Sequence, residues 1–252
     1  MVYSFEQNLL NNLMEIWVIP EIQARQNEGG LEKPFNIQMA QIIFYVGGRE
    51  PDVRLNGEVK GRMIASLSKP IDTPVAAGDL VDLSQLDGVE KFELDDDDRD
   101  NGHATLFYLG DKWCVTFDFI YNKKSSQEHL SAAKEFLHAA KSCIDVGYYR
   151  AAIDSLHSAS ELASKAYLLG RPDKSILEAK SHDMVHRKIN AENKLGNIDA
   201  NHVSAFNMLR NLRASARYLR AEFSITNEEA NGYYDQVAAY VDSVSGRSES
   251  KL

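Results

Sequence analysis

Cysteine is almost missing from the chain. Cys114 and Cys143 are the only two in 252 residues and stand far apart. No disulfide framework can form from them, and a reducing, cytoplasmic compartment fits. Long apolar runs are absent as well, and nothing approaches the ~18 residues of a membrane span. The opening stretch MVYSFEQNLL has neither the basic segment nor the apolar core of a secretory signal. No G-x-x-x-x-G-K-[ST], G-x-G-x-x-G or G-x-S-x-G pattern occurs, so nucleotide-triphosphate and serine-hydrolase readings have no support. Positive charge is scarce in the first half. Residues 1–125 carry 12 Lys and Arg against 21 Asp and Glu; the rest carries 16 of each, so the net charge of −9 belongs to the first half. That half is therefore excluded as a general nucleic-acid surface, whereas the neutral second half leaves room for a local basic strip.

What remains is the balance of a soluble globular protein, 44% hydrophobic and 26% charged, long enough for one large or two ordinary domains. Residues 1–124 read as an α+β domain with an antiparallel sheet. Leu9, Leu10, Leu13 and Trp17 have helical spacing, predicting a short helix over 5–17. A loop follows, punctuated by Pro20, Gly29, Gly30 and Pro34. Strands are predicted at 35–46 and 54–66, the second containing the turn signal Asn56-Gly57. A hairpin is predicted over 103–122, turning at Gly110-Asp111. Its second strand carries Trp113, Val115, Phe117, Phe119 and Tyr121 on one face, a pattern of sheet core before one of base stacking. The run ELDDDDRDNG at 93–102 lacks the ligand spacing of a calcium loop and reads as a solvated loop. Arg54, Lys60 and Arg62 stand out as basic in an acidic half. They form either a small recognition surface or, by default, charges that blunt an edge strand.

From about residue 126 to 246 the pattern is helical throughout, predicting a bundle of about five helices. Ser125 with Glu128, and Thr226 with Glu229, have the spacing of capping boxes. The first helix is closed by Gly147 and the second runs over 148–169 on a stripe of Ile153, Leu156, Ala159, Leu162 or Ala163, and Ala166 or Tyr167. A third helical segment covers 175–195, and the next starts at Asp199 or Asn201. Within that later helix, LRNLRASARYLRAEF places Arg210, Arg213, Arg217 and Arg220 at spacing 3, 4, 3. At ~100° per residue they fall in an arc of ~80°. Ala205, Leu209, Leu212, Ala216, Leu219 and Phe223 form a separate apolar seam, centred ~100° away. The arginines therefore flank the core. Carboxylates of the same bundle, a second copy or the acidic first half, and a phosphate backbone are the three partners that would neutralise them.

His182 and His186 in HDMVH have the i, i+4 spacing of metal ligands. Asp183 stands where a zinc protease has Glu, and His202 is the only later histidine. A helix start is the preferred reading, with no metal and no cofactor. Cys143 reads as a small core residue.

The second half resembles the HEPN family of helical domains. The resemblance rests on AAKEFLHAAKSCIDVGYYRAAIDSLHSASELASKAYLL, on KSH at 180–182 and on LRNLRASARYL. It implies a homodimer in which two motifs face one cleft, a setting in prokaryotic defence, stress or toxin–antitoxin systems, and, in catalytic members, metal-independent RNase activity. The catalytic motif has an Arg, often a polar residue next, then a His and a Tyr two positions beyond it. Arg210, Asn211 and Tyr218 match, but Ala216 stands where the His belongs, and alanine offers no proton. Ser215 is a hydroxyl with no adjacent base. The sequence therefore predicts a non-catalytic or weakly active protein that binds RNA or a protein partner through Arg210, Arg213, Arg217 and Arg220. The alternatives are an active RNase and a purely structural dimerisation module. The attached first half is predicted to sense a signal or bind a partner.

Overall fold

The computed structural model describes residues 4–67, 82–177, 182–218 and 223–248. They form two compact units that divide between Phe119 and Ile120. The first contains antiparallel β-sheets and the second is helical, an α+β arrangement overall.

The first unit opens with helix α1 (Phe5–Leu13), a π-helical turn (Met14–Val18) and α2 (Ile19–Asn27). The sequence predicts a loop from Ile19, because proline usually stops a helix. Here Pro20 sits in the first turn of α2, directly after the wider π turn, where its missing N–H and bulky ring are tolerated. Gly29 and Gly30 end α2 instead of belonging to a loop. Gly29 has φ +80°, its N–H bonds Gln26 O, and the Gly30 N–H bonds Arg25 O at 2.8 Å, the bond pair of a left-handed helix cap.

Strands β1 (Met39–Phe44), β2 (Asp52–Leu55), β5 (Gly102–Tyr108) and β6 (Trp113–Asp118) form one sheet in the order β2-β1-β5-β6, all antiparallel. β3 (Arg62–Leu67) and β4 (Leu86–Glu93) form a separate ribbon. Alternation along the strands gives the four-stranded sheet two apolar faces. Ala40, Ile42, Val53, Leu55, Ala104 and Leu106 pack with Leu13 and Val18 of the helix, joined by Trp113, Val115 and Phe117. Ile43 and Phe107 pack with Leu86 and Phe92 of the ribbon. The predicted hairpin is β5–β6, with Gly110 at φ +93° in its turn. Tyr121 does not continue that strand's face; it lies in the second unit, where its N–H bonds Gly170 O. Asn56-Gly57 makes a short 3-10 turn rather than a hairpin, since β2 pairs with β1 and β3 with β4.

One polar row crosses the ribbon-facing side of this sheet. Arg54, Gln41, Thr105 and Thr116 are successive cross-strand neighbours, and Gln41 and Thr105 are fully buried. Arg54 bonds Asp52 at 3.0 Å, Gln41 Oε1 at 3.2 Å and Asp98 at 2.7 Å. β2 is thus an edge strand, but Arg54 is turned inward and is no recognition surface. The acidic loop is correspondingly not wholly solvated, because Asp98 is its anchor. Loss of Arg54 leaves Gln41 and Asp98 without that donor, at roughly 1–3 kcal/mol. Both tryptophans, Trp17 and Trp113, lie in this unit. Arg54→Ala is therefore expected to lower the urea midpoint read by tryptophan fluorescence, while the helical far-UV signal of the second unit holds its own midpoint.

The second unit contains α3 (Lys123–Asp145), α4 (Tyr149–Leu169), the short α5 (Lys174–Leu177), α6 (His182–Lys194), α7 (Ala200–Tyr218) and α8 (Asn227–Ser248). α4 lies at its centre, packed by α3, α6, α7 and α8. Of the predicted stripe, Ile153, Leu156, Ala159, Ala163, Ala166 and Tyr167 are buried and Leu162 is partly covered; Ala152, Leu168 and Leu169 are buried as well. Small residues on several faces let the neighbours approach α4 closely. α3 does not begin at the Ser125–Glu128 pair. It begins two residues earlier, behind Asn122 at φ +48°, a conformation asparagine tolerates. The Asn122 amide donates to Leu169 O and the Ser126 hydroxyl to Ala166 O. Bonds to α4 therefore take the place of a local cap. α3 ends as predicted at Gly147, φ +78°. The Thr226–Glu229 box forms with both reciprocal bonds, Thr226 N–H to Glu229 at 2.8 Å and Glu229 N–H to Thr226 Oγ1 at 3.2 Å.

Candidate nucleic-acid interface

α7 starts where Asp199 accepts the Asn201 N–H at 2.7 Å. Its apolar seam faces the bundle: Ala205, Leu209 and Ala216 are buried, with Phe206 beside them and Leu212 partly covered. Leu219 and Arg220 lie outside the described residues. Phe223 lies beyond α7, packed against the same core. That seam turns the arginines to the flank, toward α4 and α6.

Arg213 Nε bonds Asp154 of α4 at 2.8 Å, and Arg217 approaches the same carboxylate oxygen at 3.8 Å. Arg210 bonds Asp183 of α6 at 2.5 Å. One turn before Asp154, Arg150 donates to the carbonyls of Ser215 and Ala216 and lies 4.6 Å from the Phe223 ring centre. Three guanidinium groups of α7 thus face two carboxylates, and the first of the three neutralising partners, acid of the same bundle, is present. The pairs are unequal. Arg213 is 22% exposed, the best sheltered of the three. Arg217 is 50% exposed, and Arg210 is 42% exposed against an Asp183 that is 71% exposed. Pairs this open contribute ~0–1 kcal/mol, so exchanging a carboxylate for a phosphate at Arg210 or Arg217 costs little.

α6 is tied to α7 by Asn190 and Asn207, whose side-chain amides bond reciprocally at 3.2 and 3.0 Å. This holds Asp183 against Arg210. Within the same seam, His157 of α4 and His186 of α6 contact Phe206, ring centres at 5.6 and 5.8 Å. His157 is buried, out of reach of a ligand. The His202 ring stacks on Tyr240 of α8 at 5.0 Å, and the side chain of His182, the other member of the i, i+4 pair, lies outside the described residues. Among the described residues, no group of three or more His, Cys, Asp or Glu is placed to hold a metal ion. No helix among them is long and apolar enough to cross a membrane.

Of the motif residues, Arg210 and Asn211 lie exposed on α7. Tyr218 ends the helix, and its side chain lies outside the described residues. Ala216 is 5% exposed in the seam. The sequence did not mark Asp154 or Asp183 as the partners of the strip. The only signal was Arg150 four residues before Asp154 on one helix face.

A central α4 packed by α3, α7 and α8, with a charged flank on α7, defines an all-helical bundle module in a chain that also has a β-rich unit. Residues 126–244 match the family model of the HEPN domain, a match that lies within the C-terminal half of the chain. No curated protein matches the chain.

The burial of Ala216 yields a test. Ala216→His places an imidazole in a packed seam, at a cost of ~1–3 kcal/mol. It is expected to lower the far-UV melting temperature and to give no RNA cleavage in EDTA. Unchanged stability with new cleavage would mean that position 216 faces a cleft.

Proposed function

We propose that the protein binds RNA through the α7 strip without cutting it. Arg210 and Arg217 grip phosphates, and Arg213, with Asp154, holds the strip in place. The observation that carries this reading is the pairing of open, weakly held arginines with a buried alanine at the motif's histidine position. Phosphate contacts need cations that can exchange partners, whereas cleavage needs a proton donor or acceptor within reach. The HEPN resemblance adds a homodimer with two strips at one cleft, and a setting in prokaryotic defence or stress, with the β-rich unit sensing a signal or binding a partner.

Cleavage is the second reading, favoured by His186. It lies one turn beyond Asp183 on α6, half-buried, close to the strip. If it served as the missing base, cleavage would appear in EDTA and vanish in His186→Ala.

Labelled RNA incubated in EDTA, read together for cleavage and gel shift, separates the readings. A shift without cleavage is expected, weaker in Arg210→Ala and Arg217→Ala. Each substitution should reduce the slope of log K against log salt by about 0.7. Asp154→Asn releases Arg213 and Arg217 from their carboxylate and is expected to tighten binding and steepen that slope. Absence of any shift would leave the arginines as intramolecular pairs or a protein interface, and the RNA reading would be wrong.

A further inference from the structure

The turn between α3 and α4 exposes two large side chains, Val146 at 62% and Tyr148 at 68%. Behind them opens a groove of about 460 Å³ lined by Gly147, Tyr148, Tyr149, Arg150, Ala151 and Phe223. Its lining holds three aromatic rings, one guanidinium and no carboxylate. Arg150 forms one wall, over the Phe223 ring at 4.6 Å, and is fixed there by the Ser215 and Ala216 carbonyls at 2.9 and 3.3 Å. Those carbonyls belong to the stretch of α7 that carries Arg213 and Arg217. Arg150 and Asp154 are four residues apart on α4, ~6 Å along its axis, and Asp154 is the carboxylate those arginines share. Groove and strip are therefore neighbours.

We infer that this groove is a pocket for one unpaired nucleobase, with Tyr148 as the stacking face and Arg150 as the cationic wall, so that the ligand is single-stranded RNA. The inference rests on the RNA reading above for its phosphate contacts and adds the base. A nucleobase is flat, electron-rich and joined to an anion. Aromatic rings give it a stacking surface, and a guanidinium edge suits both its π-face and its phosphate. A purely apolar partner helix would leave Arg150 facing nothing of opposite charge. A duplex keeps its bases stacked inside and has none to offer the groove. The arginines supply affinity for any polyanion, and the groove supplies the preference for a strand with free bases.

The test uses the full chain and fluorescence anisotropy with three probes: a labelled single-stranded RNA, the same strand annealed to its complement, and a strand of equal length with abasic riboses. Wild type is expected to bind the first more tightly than the other two at equal salt. Tyr148→Ala should weaken the first by roughly tenfold to a hundredfold and leave the abasic strand and the salt slope unchanged. Tyr148→Phe should retain binding. The exposed position of Tyr148 predicts an unchanged melting curve, which guards against misfolding. If Tyr148→Ala binds the single strand like wild type while Arg217→Ala binds it more weakly, the pocket is refuted and the strip survives. If wild type binds none of the three probes, the RNA reading itself fails and the pocket with it.

Discussion

The packing of α7 against α4 decides what the helical half presents to a ligand. α4 is built largely from alanine, serine and leucine on its buried faces, so α7 lies close to it along Leu209 and Ala216. Once that seam is set, helical geometry leaves no freedom. Arg210, Arg213 and Arg217 must emerge on the flank, and residue 216 must point inward. The same contact brings Asp154 under Arg213 and Arg217, and puts Arg150 beneath the end of α7. One apolar interface therefore arranges the charged surface and removes the place where a catalytic histidine would stand.

The strip works by graded commitment of like charges. Four guanidinium groups with two carboxylates would repel one another without shelter. Arg213 and Arg150 have sheltered partners: a half-buried carboxylate for one, main-chain carbonyls and an aromatic ring for the other. Arg210 has an exposed partner in Asp183, and Arg217, itself half exposed, reaches only to 3.8 Å of the carboxylate that Arg213 already holds, so solvent screens both pairs. Along α7 the structural Arg213 thus stands between the exchangeable Arg210 and Arg217, and a phosphate chain would displace only the exchangeable pairs. The β-rich unit carries the acidic excess of the chain, and its inward-turned Arg54 is occupied by Asp52, Gln41 and Asp98.

Much of this was legible in the sequence, and the failures have identifiable causes. The apolar stripe of α4, the seam of α7, the β5–β6 hairpin and the Thr226–Glu229 box follow from periodicity and capping chemistry, which are local. What failed was local punctuation overruled by longer-range bonds. Pro20 looked like a helix end, but the preceding π turn accommodates it. Ser125 looked like a cap, but Asn122 and Ser126 bond α4 instead, and α3 begins earlier. Arg54 looked like surface charge because its partner Asp98 stands far along the chain in an acidic run. The arginine spacing was readable at once. Its partners Asp154 and Asp183 were not, because pairing across helices depends on which faces meet. The aromatic groove was hidden for the same reason: Tyr148 and Phe223 are far apart in the chain.

The most direct test of the central claim, that the α7 flank of the helical unit is the RNA-binding surface, is hydrogen–deuterium exchange of the full chain with and without saturating single-stranded RNA. Protection confined to peptides covering 147–154 and 207–218 is predicted, with the β-rich unit unchanged. Protection of the β-rich unit alone, or of no peptide at all, would contradict the account.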